Sequence, residues 1–281
     1  MIRTLISASV AAVAGYAVTR GVIAARNRLG FGAAMDRTNH AGETVSLIEG
    51  PAVAAGTAVV SAFADPLPHR LAASLATTAA GVLGAVDDFA ESGSAKGLRG
   101  HLSALARGEI TTGGLKVFGI SASAVIAAAL GRDAEELAGS QTLGTLADAV
   151  LAGGVIAGTA NLINLLDLRP ARALKASAIL AAASLAGGRG SAIVLSAGSL
   201  GVIAAAFTED AAGLTMLGDT GANALGSLLG TATALEASRT QLAIGLAVLA
   251  ALTLASEKIS FTEVIESTPG LRELDAWARV H

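Results

Sequence analysis

The sequence predicts an all-α, polytopic membrane bundle, and three observations lead to that fold class. The 281 residues are 53% hydrophobic and only 15% charged, with a mean hydropathy of +0.64, whereas a soluble domain carries about 25% charged residues. The apolar residues come in long blocks separated by short polar stretches, which is typical of helical membrane proteins. Glycine is abundant, with 34 residues, and small residues let helices approach closely within a bilayer.

Composition also excludes several classes of function. The chain has no cysteine, which excludes disulfides, Cys-ligated metal sites and a thiol nucleophile. Its net charge of −3 gives no support for nucleic-acid binding. The first apolar segment lacks a clear signal-peptide cleavage site, so we interpret it as the first membrane helix.

Nine apolar segments predict about nine transmembrane helices. Several segments are shorter than the ~20 residues that a hydrocarbon core requires, so flanking residues must extend them or the bilayer must thin. The membrane domain covers residues 1–256, and a cytoplasmic amphipathic tail follows at residues 257–281. The segments are Leu5–Val18, Pro51–Ala64, Leu71–Val86, Leu115–Leu130, Leu143–Leu165, Ala171–Ala186, Ser191–Phe207, Gly221–Leu235 and Leu242–Ala255.

The distribution of Lys and Arg predicts the orientation of these helices. With the loop after the third segment in the cytoplasm, fourteen of the nineteen Lys and Arg residues lie on the cytoplasmic side, as the positive-inside rule requires. The N-terminus is then outside and the C-terminus cytoplasmic. The polar loops at residues 26–50, 87–114, 167–170 and 208–220 all fall on the cytoplasmic face.

Asp87 and Asp88 end the third apolar segment abruptly, after an uncharged run from Leu71 to Val86. A carboxylate at the membrane rim is costly unless it faces water, a cation or a partner, so such acids are candidates for a functional site. The alternative is a pair of acids that cap a helix end or face solvent. The Gly-rich loop that follows contains Lys96, and carboxylates beside a cation suit a metal–phosphate site.

Two further polar motifs lie at segment ends on the same side. Asn161, Asn164 and Asp167 recur every three residues, which puts them within a ~120° arc of one helix face. Either hydrogen bonds between helices or a polar cleft would satisfy these groups. Asp219 follows Gly218 at the start of the eighth segment, where a helix N-terminus offers free N–H groups to an anion. Asp219 is either an N-cap or a cation ligand.

The loops before the second and fourth segments are less informative. We expect Arg37 and Asn39 to contact phosphate or a lipid headgroup, with an ordinary basic juxtamembrane loop as the alternative. Residues 108–116 open the fourth segment with glycines and hydroxyl groups, and they receive no assigned role.

The ordered set of motifs resembles the polyprenyl-phosphate sugar-1-phosphate transferases. This superfamily includes phospho-MurNAc-pentapeptide translocase and the GlcNAc-1-phosphate transferases (glycosyltransferase family 4). Asp87 and Asp88 look like its aspartate pair. Residues 161–167 look like its Asn-x-x-Asn-x-x-Asp motif, and residues 218–221 look like its Gly-Asp-x-Gly motif. Residues 37–51 are similar to the family's loop after the first helix.

The resemblance implies a reaction and its cofactor. A sugar-1-phosphate, of the N-acetylhexosamine type, would pass from a UDP-sugar to a polyprenyl phosphate, with release of UMP. Mg²⁺, or Mn²⁺ in its place, would screen the repulsion between phosphate groups. The implied partners are these two substrates and the lipid bilayer of a bacterial inner membrane, with the site facing the cytoplasm. We expect no nucleic-acid partner, and a homodimer is one possible oligomeric state.

The resemblance also implies roles for individual residues. Asp219 corresponds to the principal metal ligand, Asp167 lies near the metal or the nucleotide, and the Asp87–Asp88 pair coordinates metal or accepts the acceptor's proton. Because a phosphate monoester has a second pKa of about 6, we expect Asp87 to act by electrostatics and positioning. The substrate-binding residues are Arg37, Asn39, Lys96, Asn161 and Asn164.

The chain departs from the family pattern in three respects. Residues 168–170, Leu-Arg-Pro, replace an acid-containing, glycine-rich continuation, and both the late histidine-rich motif and a tenth helix are missing. The donor sugar is therefore undetermined, and the amphipathic helix predicted at residues 257–266 is a candidate to close the site. Two other interpretations stay open. One is an inactive protein that binds or transports a polyprenyl lipid or nucleotide, and the other is an unrelated polytopic protein.

Overall fold

The structure, a computed structural model, describes residues 1–26, 28, 35–38, 42–90, 111–131 and 142–279. Within these ranges the chain forms eleven helices and one two-stranded sheet. The predictions for Asn39 and Lys96 lie outside the described residues.

Each of the nine predicted apolar segments coincides with a helix, with ends that differ by a few residues, so the all-α bundle is confirmed. These nine helices of the described chain are α1 (Ile2–Ala25), α2 (Glu49–Ser61), α3 (Leu67–Ala90), α4 (Thr112–Leu130), α5 (Thr142–Leu166), α6 (Arg172–Gly187), α7 (Gly190–Ala211), α8 (Gly218–Ala234) and α9 (Arg239–Ser256).

Five of the described helices, α1, α4, α5, α7 and α9, are long and apolar enough to cross a membrane. Their length and composition support a membrane protein. The full number of nine spans and the sides on which the termini lie stay predictions.

Helix α8 is the centre of the bundle, and almost all of its side chains are buried. It packs against α2, α3, α5 and α7. A Cβ atom at Gly226 would lie 2.6 Å from the Cα of Ala160, and one at Gly230 would lie 2.8 Å from the Cα of Ile156. The Gly226-xxx-Gly230 pattern is therefore a contact between the backbones of α5 and α8, as small residues at this spacing predict.

The outer helices leave much of their surface uncovered. Helix α1 packs along α7 and α2, whereas α9 packs along α5. Helix α9, which the structure describes in full, has a single buried residue, Leu242. Its side chains therefore face outward over nearly its whole length, toward the space that lipid fills around a membrane bundle.

A small β-hairpin departs from the all-α prediction. Strands β1 (Asp36–Thr38) and β2 (Thr44–Ser46) pair antiparallel, with Asp36 opposite Ser46. The backbone of Ser46 also accepts from the N–H of Met216 and donates to the carbonyl of Leu214, at 3.1 Å each. The hairpin therefore ties the loop after α1 to the connection between α7 and α8. Strands of three residues are too short for a periodicity in the sequence to reveal them.

The tail also differs from the single amphipathic helix predicted at residues 257–266. Two short helices, α10 (Phe261–Ser267) and α11 (Leu271–Ala276), are separated by Pro269 and Gly270. Gly270 has a φ of +86°, which glycine adopts without a steric penalty, and proline has no N–H to continue a helix. The tail therefore folds back in two pieces.

Candidate functional site

Acidic residues occupy the helix ends on one side of the bundle. Asp87 and Asp88 lie near the end of α3, Asp167 directly follows α5, Asp210 lies in the last turn of α7, and Asp219 lies in the first turn of α8. Successive helices run in opposite directions, so the C-terminal ends of α3, α5 and α7 meet the N-terminal end of α8. We call this side the acidic end.

A cleft of about 440 Å³ opens at the acidic end, within the size range of small-molecule sites. It brings together residues from all three sequence motifs and from the loop after α1. Asn161 and Asn164 are not among the described residues that line it. The charged residues of the wall that bear on the chemistry are Arg37, Asp87, Asp88, Asp167, Asp210 and Asp219.

Lys116, near the start of α4, is the cation of the site. Its Nζ atom lies 2.6 Å from the Oδ2 atom of Asp87 and 2.8 Å from the Oδ2 atom of Asp219. The side chain is only 14% exposed, so these contacts are less screened than a surface ion pair. Lys116 was not predicted to have a role, although a lysine just inside an apolar segment is the kind of residue that marks a polar site.

Asp88 binds the start of α8 with both of its carboxylate oxygens. Oδ1 accepts from the backbone N–H of Asp219 at 3.0 Å, and Oδ2 accepts from the N–H of Thr220 at 2.9 Å and from its hydroxyl at 2.6 Å. A carboxylate at a helix N-terminus accepts hydrogen bonds from the free N–H groups and interacts favourably with the positive end of the helix dipole. Asp88 therefore caps α8 across the helix interface, while its predicted catalytic role stays a prediction.

Two glycines allow α3 to come this close to α8. A Cβ atom at Gly84 would lie 2.3 Å from the carbonyl oxygen of Asp219. Gly218 has a φ of +58°, and a Cβ atom there would lie 3.1 Å from both carboxylate oxygens of Asp88. The first glycine of the Gly-Asp-Thr-Gly motif is therefore required by the backbone conformation and by the cap.

Arg37 lies in the cleft wall on strand β1. Its guanidinium donates to the backbone carbonyl of Asp88 at 3.3 Å and lies 5.6 Å from the ring centroid of Phe89. The second contact is in the range of a cation–π interaction. Arg37 therefore links the hairpin to the end of α3 and brings positive charge to the cleft, while its contact with phosphate or a lipid headgroup stays a prediction.

Asp167 lies in the cleft wall beside other carboxyl groups. Desolvation raises the pKa of Asp167 well above its usual range, and the negative charge of Asp210 raises it further, although a hydrogen bond from the backbone of Gly218 opposes the change. Asp167 is thus held toward its protonated form, in which a carboxyl group can donate a hydrogen bond.

Two buried acids, Asp210 in the cleft wall and Glu49 outside it, were not singled out by the sequence. Glu49 is fully buried and accepts from the hydroxyl of Thr215 at 2.6 Å, while Asp210 is 3% exposed and accepts from the N–H of Ala171 at 3.2 Å. The second oxygen of each carboxyl group has no hydrogen-bond partner among the described residues. The sequence did contain a signal for Glu49, because a charged residue stands there at the start of an apolar segment, and glutamate is seldom buried without a partner.

Asn161, the first amide of the second motif, makes a contact between helices. The Nδ2 atom of Asn161 donates to the hydroxyl of Thr253 on α9 at 3.0 Å, which matches the alternative of a hydrogen bond between helices. The part of the motif that reaches the cleft is Asp167. Substrate contacts by Asn161 and Asn164 stay predictions.

The donor set at the centre of the cleft has the right chemistry for Mg²⁺. Among the described residues, no three His, Cys, Asp or Glu side chains are grouped so that they could hold a metal ion. However, Asp87 and Asp219 each bring a carboxylate oxygen to within 2.8 Å of the same cationic atom. Mg²⁺ is commonly held by one or two carboxylates, with water and substrate phosphates completing the octahedron. Two converging carboxylates therefore fit that ion.

Searches against protein-family models and curated proteins found no match for this chain. The length and composition of the helices support a membrane protein, and the structure gives it an acidic cleft.

Proposed function

We propose that this chain is a Mg²⁺-dependent polyprenyl-phosphate sugar-1-phosphate transferase. It moves a sugar-1-phosphate, of the N-acetylhexosamine type, from a UDP-sugar to a polyprenyl phosphate and releases UMP. The observation that carries the proposal is the contact of Lys116 with both Asp87 and Asp219, two carboxylates that line one cleft at the end of an apolar bundle. Reactions between phosphate groups need such fixed charges, because the reacting groups are all anionic.

The position of the cleft suits one lipid and one water-soluble substrate. The cleft lies where apolar helices end, so a polyprenyl chain can stay in the bilayer while its phosphate reaches the carboxylates. The distribution of Lys and Arg assigns this end to the cytoplasmic face of a bacterial inner membrane. A nucleotide sugar from the cytoplasm would then meet the lipid phosphate at the cleft.

The proposed reaction is a substitution at phosphorus. An oxygen of the polyprenyl phosphate forms a bond to the β-phosphorus of the UDP-sugar. The bond from that phosphorus to the bridging oxygen breaks, and UMP leaves with its electron pair. The attacking monoester has a second pKa of about 6, so it is largely deprotonated at neutral pH and gains little from a general base.

The residues of the cleft act mainly through charge and position. Lys116 and Arg37 neutralise phosphate oxygens, and Asp167 lies near the metal or the nucleotide. Asp88 positions Asp219, because it accepts hydrogen bonds from the N–H groups of Asp219 and Thr220 in the first turn of α8. In this assignment Asp88 is a positioning residue.

Asp87 and Asp219 would hold the metal ion. Bound Mg²⁺ supplies positive charge that stabilises the transferring phosphoryl group. The two carboxylates also fix the position of Lys116, whose flexible side chain can pair with a phosphate when the carboxylates bind a second cation.

The experiment is a screen of UDP-sugars with the purified protein in lipid nanodiscs and with UMP as the detected product. We expect UMP only when polyprenyl phosphate and Mg²⁺ are both present, and we expect Asp219→Ala to abolish its release. The matched control is Glu266→Ala, which replaces an acid of the exposed tail and should leave turnover unchanged.

Binding of polyprenyl phosphate without UMP from any UDP-sugar would contradict the proposal. That result would favour the second interpretation, an inactive protein that binds or transports the lipid. Loss of UMP release in Glu266→Ala as well as Asp219→Ala would show that the assay does not report on the cleft.

A further inference from the structure

The C-terminal tail is fixed to the acidic end by buried ionic contacts. The Nε and Nη2 atoms of Arg172 donate to the two carboxylate oxygens of Asp275 at 2.8 and 2.9 Å, and both residues are less than 8% exposed. Lys175 donates to the backbone carbonyls of Leu274 and Trp277 at 3.1 and 2.9 Å. Helix α6 therefore determines where the tail lies.

Helix α11 has an apolar and a charged side. Leu271 and Leu274 are three residues apart, so they share one side of the helix, and they are 46% and 44% exposed. Arg272 and Glu273 project from the opposite side and are exposed to solvent. Since Asp275 faces the bundle, the helix lies flat on the acidic end with one apolar edge uncovered.

Helix α10 repeats this arrangement. Helical spacing places Phe261, Val264 and Ile265 on one side and Glu263 and Glu266 on the other. Val264 is 42% exposed, whereas Phe261 and Ile265 are partly buried. Two consecutive helices thus combine charged sides with apolar edges that the described residues leave partly exposed.

Trp277 extends the apolar edge beyond α11. Its ring lies 6.2 Å from that of Phe207, measured between centroids, yet 63% of the residue is exposed. Tryptophan is enriched at membrane–water interfaces because its ring is apolar and its N–H is polar.

The start of the tail indicates what covers this edge. Helix α9, whose surface faces outward along its length, ends at Ser256, and Ile259, 51% exposed, follows three residues later. The tail therefore begins directly after a helix that is long and apolar enough to cross a membrane, and its exposed apolar residues follow that helix closely in the chain.

We propose that residues 257–279 form an interfacial segment that binds the surface of the lipid bilayer, with Trp277 and the apolar edges of α10 and α11 inserted at headgroup level. Amphipathic helices that lie in the membrane plane bind through buried apolar area. This inference does not depend on the transferase reaction.

The charge of the tail specifies the kind of lipid. Its exposed acids are Glu257, Glu263, Glu266 and Glu273, against the exposed bases Lys258 and Arg272. Such a surface gains nothing from anionic lipids. Binding therefore rests on apolar contact and persists in a purely zwitterionic bilayer.

The experiment uses the fact that Trp277 is the only tryptophan of the chain. The full-length protein is reconstituted in phosphatidylcholine bilayers whose acyl chains carry bromine, a contact quencher, either near the headgroup or near the chain end. We expect strong loss of Trp277 emission with shallow bromine, weak loss with deep bromine, and little quenching by aqueous iodide.

Two results would overturn the proposal. Free quenching by iodide with no effect of either brominated lipid would place the edge in water. Emission that changes with the amount of protein per bilayer but not with bromine would show that a second copy of the chain covers the edge.

Two variants calibrate the measurement. Val248→Trp in a Trp277→Phe background puts the tryptophan at an exposed position within α9, where deep bromine should quench it most. Leu271→Asp with Leu274→Asp adds charges to the apolar edge without removing the Arg172–Asp275 pair, and we expect it to reduce shallow quenching. Unchanged shallow quenching in this double variant would count against the apolar edge as the binding surface.

Discussion

At the scale of the residue, Lys116 determines how the cleft is charged. Its ammonium group contacts both Asp87 and Asp219, which would otherwise face each other without a cation. Two carboxylates that contact the same atom are stable close together only when a proton, a metal ion or an ammonium group offsets their repulsion. The same position that stabilises the protein thus serves the proposed chemistry.

Replacing Lys116 tests this arrangement. We expect Lys116→Met to lower the free energy of unfolding by about 3 kcal/mol, because removal of one partner leaves shielded carboxylates unpaired. Thermal unfolding in detergent measures the loss, and added Mg²⁺ should restore part of it. Lys258→Met, at an exposed position in the tail, is the matched control. Equal stability of the two variants would contradict the central place of Lys116.

The two adjacent aspartates should respond differently to the same substitution. Asp88→Asn removes the charge and places an N–H group against the donors at the start of α8, so we expect a loss of about 2 kcal/mol in unfolding free energy. Asp87→Asn leaves those donors satisfied, and Asp219 still pairs with Lys116, so the loss of stability should be smaller. Thermal unfolding of both variants makes the comparison. A larger loss in Asp87→Asn would contradict the capping role.

The residues of the site were only partly predictable from the sequence. Asp87, Asp88, Asp167 and Asp219 stand out because isolated charges at the ends of apolar runs are rare. Which of two neighbouring acids caps a helix depends on the rotation of α3 against α8, and no pattern in one segment contains that information. Lys116 was overlooked for the same reason, because its partners are distant in sequence.

At the scale of the element, the contact between α3 and α8 positions the site. The backbone of Asp219 lies directly against Gly84, and the cap by Asp88 is possible only at this distance. The long apolar helices were predictable because each fills one uninterrupted segment. The β-hairpin was not, because strands of three residues gain their stability from partners, here Leu214 and Met216.

Enlarging Gly84 tests this contact. Gly84→Ala forces a Cβ atom against the carbonyl of Asp219, so we expect a loss of about 2 kcal/mol in unfolding free energy, together with the loss of UMP release. The matched control is Gly21→Ala in α1, where an added Cβ atom meets nothing within 4 Å. Thermal unfolding measures both variants. Equal unfolding free energies for Gly84→Ala and Gly21→Ala would contradict the close contact of α3 and α8.

At the scale of the whole molecule, the tail and the cleft share one end of the bundle. Arg279 donates to the backbone carbonyl of Pro170 at 3.3 Å, and Pro170 lines the cleft. The tail thus supports the wall in the region where the sequence departs from the family pattern at residues 168–170. This position is compatible with the expectation that the tail helps to close the site.

Attachment of the tail should depend on pH in the acid range. Burial disfavours the ionised form of Asp275, but the hydrogen bonds and charges of Arg172 and Arg279 outweigh it and lower the pKa of Asp275 below its usual value. A lowered pKa in the folded state means that the attachment is stable above about pH 4, the usual pKa of an aspartate, and weakens as pH falls through the folded value.

Emission from Trp277 follows that transition, because release of the tail removes its ring from the contact with Phe207. Asp275→Asn should show weak attachment already at neutral pH and no acid transition of its own. Glu266→Gln, which alters an exposed ion pair of little energetic weight, should titrate like the unmodified protein. An acid transition that survived in Asp275→Asn would assign the effect to another group.

The most direct test of the proposed reaction follows the β-phosphate of the UDP-sugar. With a donor labelled at that phosphate and with polyprenyl phosphate and Mg²⁺ present, the label should appear in the lipid, as a polyprenyl diphosphate sugar, while unlabelled UMP is released. Asp219→Ala should leave the label in the donor. Label that stayed in a UDP product while the sugar moved to the lipid would show glycosyl transfer, and it would contradict the transfer of a sugar-1-phosphate at this cleft.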